Sequence, residues 1–298
     1  MEYRELYEWG VCQLCGAGIA ESSLDARLLL EEVCGTDRND LLVHADREVA
    51  AGQRDRYTDF ILQRKSRIPL QQIVGYQEFM GLRFAVNGDV LIPRQDTEIL
   101  VEEALRQLHD GMRILDLCTG SGCILLSLLH YSNDCIGVGS DISPKALETA
   151  AANAQALSLE ASFVQGDLFE KIEGKFDFIV SNPPYIPTRV IPTLMEEVRE
   201  HEPAAALDGG ADGLSFYRRI VGEAGTYLHP GGMLFFEIGC EQAEVVTGLM
   251  EQAGFEDVAV CKDFAGLDRV VSGRYPGRPR RDCERSGSEI CLTDWKIY

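Results

Sequence analysis

From residue 113 onward the chain alternates short apolar runs with amphipathic stretches, and this beat restricts the fold more than any other property of the sequence. Residues 113–117 read as a strand, 121–131 as a helix, 135–140 as a strand and 144–157 as a helix. Strands follow at 162–165 and 176–181, then a helix over 214–228 and a strand over 233–238. A helix over 241–253 and strands at 257–261 and 268–272 close the series. Strands separated by helices at this interval imply crossover connections, and predict an α/β, doubly wound, Rossmann-like sheet of seven strands. Little chain separates the last two strands, so an antiparallel edge is expected.

The segments before this beat have a different character. Residues 1–75 are poor in Gly and Pro and read as a small helical domain. Leu24, Ala26, Leu28, Leu29, Leu30 and Val33 give one helix its apolar face, with Ser22 or Ser23 as its cap, and two more short helices are expected around 40–42 and 57–63. Residues 76–96 are expected to form a β-hairpin linker, because Asn87-Gly88 between apolar runs is a strong hairpin signal. Residues 97–276 then form the α/β domain, entered through a helix capped by Asp96 or Thr97. The basic tail 277–298 carries no apolar period and is expected to be mobile.

Bulk properties exclude several function classes. No apolar run approaches a membrane span, and the charged start Met1-Glu2-Tyr3-Arg4-Glu5 lacks a signal-peptide core, so a cytoplasmic, non-membrane protein is expected. The ten cysteines are scattered, with only Cys12 and Cys15 as a CxxC, and read as buried free thiols with no metal role. A net charge of -20 makes the chain a poor binder of phosphate backbones, so direct nucleic-acid binding is not expected.

The chemistry gathers at the carboxyl ends of the strands, where open α/β sheets bind ligands. The first strand runs into Asp116-Leu117-Cys118-Thr119-Gly120-Ser121-Gly122, whose glycines let the backbone approach a ligand closely beside a helix N-terminus. A dinucleotide fingerprint would place a third glycine at 125, which is leucine, and no Walker lysine comes after the loop. The second strand ends at Asp141, placed to accept both hydroxyls of a ribose; the other reading is a helix cap, for which Ser143 also competes. The third ends at Gly166-Asp167-Leu168, where Asp167 can accept from an exocyclic amine and the Leu168 backbone can meet a purine edge, a simple turn being the alternative. A nucleoside without phosphates suits this set, and S-adenosylmethionine is such a ligand. The fourth strand delivers Asn182-Pro183-Pro184-Tyr185 to the same edge; two prolines without N–H groups end the strand there and stiffen the chain beyond it.

Taken together, the DxxxGxG loop, Asp141, Asp167 and the Asn-Pro-Pro-Tyr quartet resemble class I S-adenosylmethionine-dependent methyltransferases acting on nitrogen. More narrowly, the chain resembles the peptide chain release factor N5-glutamine methyltransferase (HemK/PrmC) family from its helical start to about residue 275. The stretches 91–98, 202–203, 206–210, 212–214 and 263–269 carry that likeness. Family members often have glycine at Cys118 and an aromatic at Leu168, positions offering mainly backbone or apolar contact.

The resemblance implies methyl transfer to the side-chain amide nitrogen of the glutamine in the Gly-Gly-Gln motif of class 1 release factors. It assigns Asp116, Cys118, Thr119, Gly120, Ser121, Gly122, Asp141, Asp167, Leu168 and Asn182 to the cofactor, S-adenosyl-L-methionine, with no metal. Asn182, Pro183, Pro184 and Tyr185 would serve as catalytic and substrate-binding residues, in a monomer. In that reading Asn182 and the Pro183 carbonyl accept from the amide and Tyr185 packs on its plane. Methylation of another protein glutamine, or of adenine N6 in nucleic acid, uses a similar quartet and stays open at this point.

Overall fold

The structure is a computed structural model and describes residues 1–277. The tail expected to be mobile lies, from 278 on, outside the described residues.

Five helices build the N-terminal region: α1 (Tyr3–Gly16), α2 (Ser22–Cys34), α3 (Arg38–Val43), α4 (Ala51–Lys65) and α5 (Leu70–Val74). Helix α1 buries Tyr3, Leu6, Gly10 and Leu14, a stripe at helical spacing that meets α2 and α4 in a core of its own. Tyr57 of α4 is fully buried there, and its hydroxyl donates to the Ala26 carbonyl at 3.0 Å. Cys12 and Cys15 fall off the α1 stripe and are exposed, as is Cys240; of the eight described cysteines, all free, only Cys123 is buried. The expectation of buried thiols is therefore corrected. The expected serine cap is also absent: Glu21 holds the N-cap position of α2 and makes no side-chain cap bond. Residues 57–63 belong to the 15-residue α4 rather than to a short helix.

A hairpin follows, β1 (Tyr76–Phe79) with β2 (Leu82–Ala85), but its turn is Met80-Gly81 and not Asn87-Gly88. Both turn residues have positive φ, 51° and 70°, which suits the twist of a two-residue hairpin. Asn87 is used elsewhere: its Oδ1 accepts from the Asp89 N–H at 2.8 Å and its Nδ2 donates to Thr149 at 3.2 Å. Helix α6 (Gln95–Leu105) already contains Asp96 and Thr97, so neither caps it; Arg94 stands at the N-cap without a side-chain bond.

The sheet consists of β3 (Arg113–Leu117), β4 (Ile136–Asp141), β5 (Ala161–Gln165), β6 (Phe176–Ser181), β7 (Leu228–Glu237), β8 (Glu256–Lys262) and β9 (Asp268–Arg274). Their order is β5-β4-β3-β6-β7-β9-β8. The first five pair in parallel, and β9 runs antiparallel to both β7 and β8, giving the expected edge. Helices α7 (Cys123–His130), α8 (Pro144–Ala156), α9 (Glu196–His201), α10 (Ser215–Tyr227) and α11 (Ala243–Gln252) are the other α-helices among the described residues. Two apolar cores flank the sheet, one holding α10 and α11 residues such as Tyr217 and Val246, the other α6 and α7 residues such as Leu100 and Leu125. Strand order reverses between β4-β3 and β6, so the carboxyl ends of β3, β4 and β6 open a crevice at one edge.

Candidate active site

The loop after β3 is shaped by left-handed backbone. Cys118, Gly120 and Gly122 all have positive φ (60°, 55° and 79°), a conformation glycine adopts freely and in which Cys118 is held at some strain. A Cβ on Gly120 would meet no atom within 4 Å, so the backbone there faces open cleft. Asp141, at the end of β4, ties this loop down: its Oδ2 accepts from Gly120 N at 2.9 Å and its Oδ1 from Ser143 N at 2.9 Å. Ser143 caps α8 through its own hydroxyl, so Asp141 is not the cap. Burial pushes the Asp141 carboxyl above the ordinary aspartate range.

Cys118, Gly120, Asp141, Asp167, Leu168, Asn182 and Pro184 line one cleft together with Ile142 and Ser143. Thr119, Ser121 and Gly122 do not line it; Thr119 and Ser121 are buried behind the loop. Asp116 is wholly buried beneath, accepting from the Thr119 hydroxyl at 2.6 Å, and desolvation pushes its carboxyl up to about 7. Asp167 stays at the cleft, but its Oδ2 accepts from Arg219 Nη2 of α10 at 2.8 Å. Leu168 is buried with φ 54°, and its carbonyl accepts from the Ser140 hydroxyl at 2.9 Å.

At the other end, Asn182 continues from β6 into the cleft, which Pro184 also lines, while Pro183 and Tyr185 turn inward. Pro183 is buried and Tyr185 half-buried, and neither lines the cleft. The Tyr185 hydroxyl donates to Glu237 Oε1 at 3.3 Å. The Tyr185 backbone is gripped from behind: its carbonyl accepts from Gln242 Nε2 at 3.0 Å, and Gly209 packs directly against it. A Cβ on Gly209 would sit 2.7 Å from Tyr185 Cα and 2.8 Å from the Pro184 carbonyl oxygen.

Two residues absent from the sequence-based site join here. Glu237, 2% exposed at the end of β7, accepts from the Thr97 hydroxyl at 2.5 Å, and Thr97 accepts from Asn182 Nδ2 at 3.3 Å. Burial raises the Glu237 carboxyl. A carboxylate inside the apolar run 233–238 is the signal that points to it. No local pattern points to Thr97, which lies 140 residues from its partner.

Asp89, Val90 and Leu91, together with Pro203, Ala205 and Ala206, also line the cleft. Glu202, buried beside Pro203, accepts from Arg94 Nη2 at 2.5 Å. Farther back, Glu197 accepts from Arg64 and Arg67 of the N-terminal region at 3.1 and 3.2 Å.

This architecture has relatives. A family model described as the PrmC N-terminal domain matches residues 5–75, and one described as the methyltransferase small domain matches 95–201. The release factor glutamine methyltransferase of Geobacter sulfurreducens is 44% identical over 272 residues, spanning 91% of this chain and 96% of that protein. Its Clostridium acetobutylicum counterpart is 45% identical over 254 residues, spanning 83% and 89%. The chain belongs to the release factor glutamine methyltransferase family. Among solved structures, a methyltransferase from Pyrococcus furiosus superposes with a TM-score of 0.52 at 18% identity over 72% of this chain and 99% of that one, a likeness of fold.

A release factor glutamine methyltransferase needs room for a nucleoside beside a cationic sulfur, and the residues present fit that need. Gly120 leaves space at the loop, each Asp141 oxygen spends one lone pair on backbone and keeps another, and Asp167 and Asp141 make the cleft acidic. Segments distant in the sequence are tied together by ion pairs: Arg94 pairs with Glu202, and Arg269 pairs with Asp96 and Asp263 at 3.2 and 3.0 Å.

Proposed function

We propose that this chain transfers a methyl group from S-adenosyl-L-methionine to the side-chain amide nitrogen (N5) of the glutamine in the Gly-Gly-Gln motif of class 1 release factors. One observation carries the reading: Asn182 opens into the same cleft as Gly120, Asp141 and Asp167. A cofactor end and an amide-holding end thus share one space, in a chain whose relatives bear that activity in their names.

The cofactor, when bound, supplies an electrophilic methyl on a positively charged sulfur. Asp141 holds the ribose hydroxyls through its remaining lone pairs, and the Gly120 backbone approaches the ligand closely because no side chain intervenes. The amide nitrogen is a poor nucleophile, since resonance delocalises its lone pair. Asn182 Oδ1 and the Pro183 carbonyl accept its two N–H bonds, which orients the nitrogen and favours the positive charge that develops on it. Pro184, without an N–H, keeps this carbonyl in place. No side chain need act as base, because the proton becomes acidic once the nitrogen is alkylated and then leaves to water.

The net charge of -20 favours a protein substrate over a nucleic-acid backbone. No helix of the described residues is long and apolar enough to cross a membrane. The enzyme is read as a cytoplasmic monomer. The test is incubation with a purified class 1 release factor and methyl-labelled cofactor, followed by peptide mass spectrometry. Label on the Gly-Gly-Gln glutamine is the expected result; label on another residue, or none, overturns the reading.

A further inference from the structure

Asn182 has to present its oxygen, not its NH2, to an incoming amide, because an amide nitrogen offers two N–H donors. The Asn182 side chain is close to symmetric in shape, so something outside it must fix which end faces the cleft. The surrounding bonds do so by polarity. Glu237 is walled off from water between β6 and β9, and its two oxygens meet two hydroxyls, Thr97 at 2.5 Å and Tyr185 at 3.3 Å. With Glu237 ionised, its oxygens only accept, so the single proton of Thr97 is committed to Glu237. The Thr97 oxygen is then left to accept, and its neighbour at 3.3 Å is Asn182 Nδ2. With the NH2 group spoken for, Oδ1 is the end that turns to the cleft.

The register explains why this residue is at hand. Ser181 pairs with Phe236 as the last step of the β6–β7 ladder, so Asn182 and Glu237 are the next residues along neighbouring strands. Glu237 also reaches both ends of the quartet, Asn182 through Thr97 and Tyr185 directly, while Tyr217 donates to the Glu237 carbonyl at 2.9 Å and holds the strand end.

We propose that Thr97 and Glu237 are positioning residues for methyl transfer: they form a one-way hydrogen-bond relay that locks the Asn182 carboxamide with its oxygen toward the acceptor amide. The inference rests on the functional reading above and adds to it a device for orienting the acceptor.

The test compares four enzymes, wild type, Thr97→Ser, Thr97→Val and the double variant Thr97→Val/Glu237→Leu, in release-factor methylation, with thermal melting and calorimetry of S-adenosylhomocysteine alongside. Thr97→Ser keeps the hydroxyl, and its kcat is expected within about threefold of wild type. Thr97→Val removes the relay at equal shape; kcat falls by about 10- to 100-fold, while S-adenosylhomocysteine affinity and the KM for the release factor stay within about threefold. It also leaves the buried Glu237 Oε2 without its Thr97 donor, and the melting temperature falls. The double variant removes the Thr97 hydroxyl and the carboxylate together and leaves only the Tyr185 hydroxyl without its acceptor, so the melting temperature recovers in part while kcat stays low. Recovery of kcat together with melting temperature in the double variant would make the pair merely structural and overturn the proposal. Wild-type turnover in Thr97→Val would overturn it as well. A wild-type enzyme that fails to methylate the release factor overturns the functional reading itself, and the relay with it.

Discussion

Arg64 Nη2 donates to Glu197 Oε1 at 3.1 Å, joining the helical N-terminal region to a segment 133 residues further along the chain. The guanidinium also donates from Nε to Asp25 at 2.7 Å, and all three side chains are nearly buried. Gln72 adds a bond to the His201 carbonyl at 2.8 Å. Immediately after His201 come Glu202 and the cleft-lining Pro203, Ala205 and Ala206. The N-terminal helices therefore brace one wall of the cleft from behind.

Arg64→Met strips buried Asp25 of its partner, leaves Glu197 with Arg67 alone, and is expected to cost about 3 kcal/mol of stability, read by urea unfolding at neutral pH. Burial pushes the Glu197 carboxyl up, but its own backbone N–H and the bonds from Arg64 and Arg67 outweigh this and hold it below the usual range. A lowered folded value means the contribution is full above the unfolded glutamate value and is lost as pH falls through the folded one. The gap between wild type and variant should accordingly narrow in acid. A gap that widens on acidification would show that Glu197 is not the partner that matters.

Asn182→Ala removes the proposed acceptor of the substrate N–H. Turnover should fall by about 100-fold or more, with cofactor affinity within a few-fold of wild type. Single-turnover methylation and calorimetry separate the two. An unchanged rate rules out the amide-holding role.

Asp141→Asn replaces an oxygen that accepts with an NH2 that faces the N–H of either Gly120 or Ser143. Cofactor affinity should weaken by about tenfold. The same residue predicts a pH dependence. Only the ionised carboxylate has lone pairs for the ribose on both oxygens, and burial raises this carboxyl above its ordinary 3.8. Affinity should be full at neutral pH and decline on acidification sooner than an exposed aspartate would dictate, and the decline should vanish in Asp141→Asn. A wild-type affinity flat across that range removes Asp141 from the ribose site.

Gly209→Ala places a methyl against the Pro184–Tyr185 backbone, where there is no room. The strain should cost about 1–3 kcal/mol and shift the quartet. The expected signature is a lower kcat, by about tenfold, at near-constant cofactor affinity. Equal loss of both would mean that the two ends of the cleft are not independent.

Legibility in the sequence tracks the range of the forces involved. The strand 176–181 is legible to its last residue, because two prolines forbid its continuation by local sterics alone. The alternation of strands and helices, with its antiparallel close, is equally local, and so is the acidic residue ending β4. The features that escape a sequence reading depend on contacts between distant segments. Thr97 has the look of a cap because threonine near a helix start usually is one, yet Glu237 claims its hydroxyl. Asn87-Gly88 carries the stronger turn signal, but Asn87 bonds to Thr149 of α8 and the chain turns at Met80-Gly81 instead. Strand spacing alone puts Asp167 at the cleft, and only the fold reveals Arg219 as its partner.

The walls of the cleft carry one more consequence. Asn182 shares the cleft with Asp89, Val90 and Leu91 and with Pro203, Ala205 and Ala206, and Gly209 packs against the backbone of the quartet. An amide held in such a slot has to arrive on a narrow, protruding piece of chain. Glutamines on flat surfaces, in helices or within strands are turned away by shape before any hydrogen bond is tested. Discrimination among the many glutamines of a cell thus begins with reach, and the glycines that flank a suitable glutamine matter for the bulk they lack.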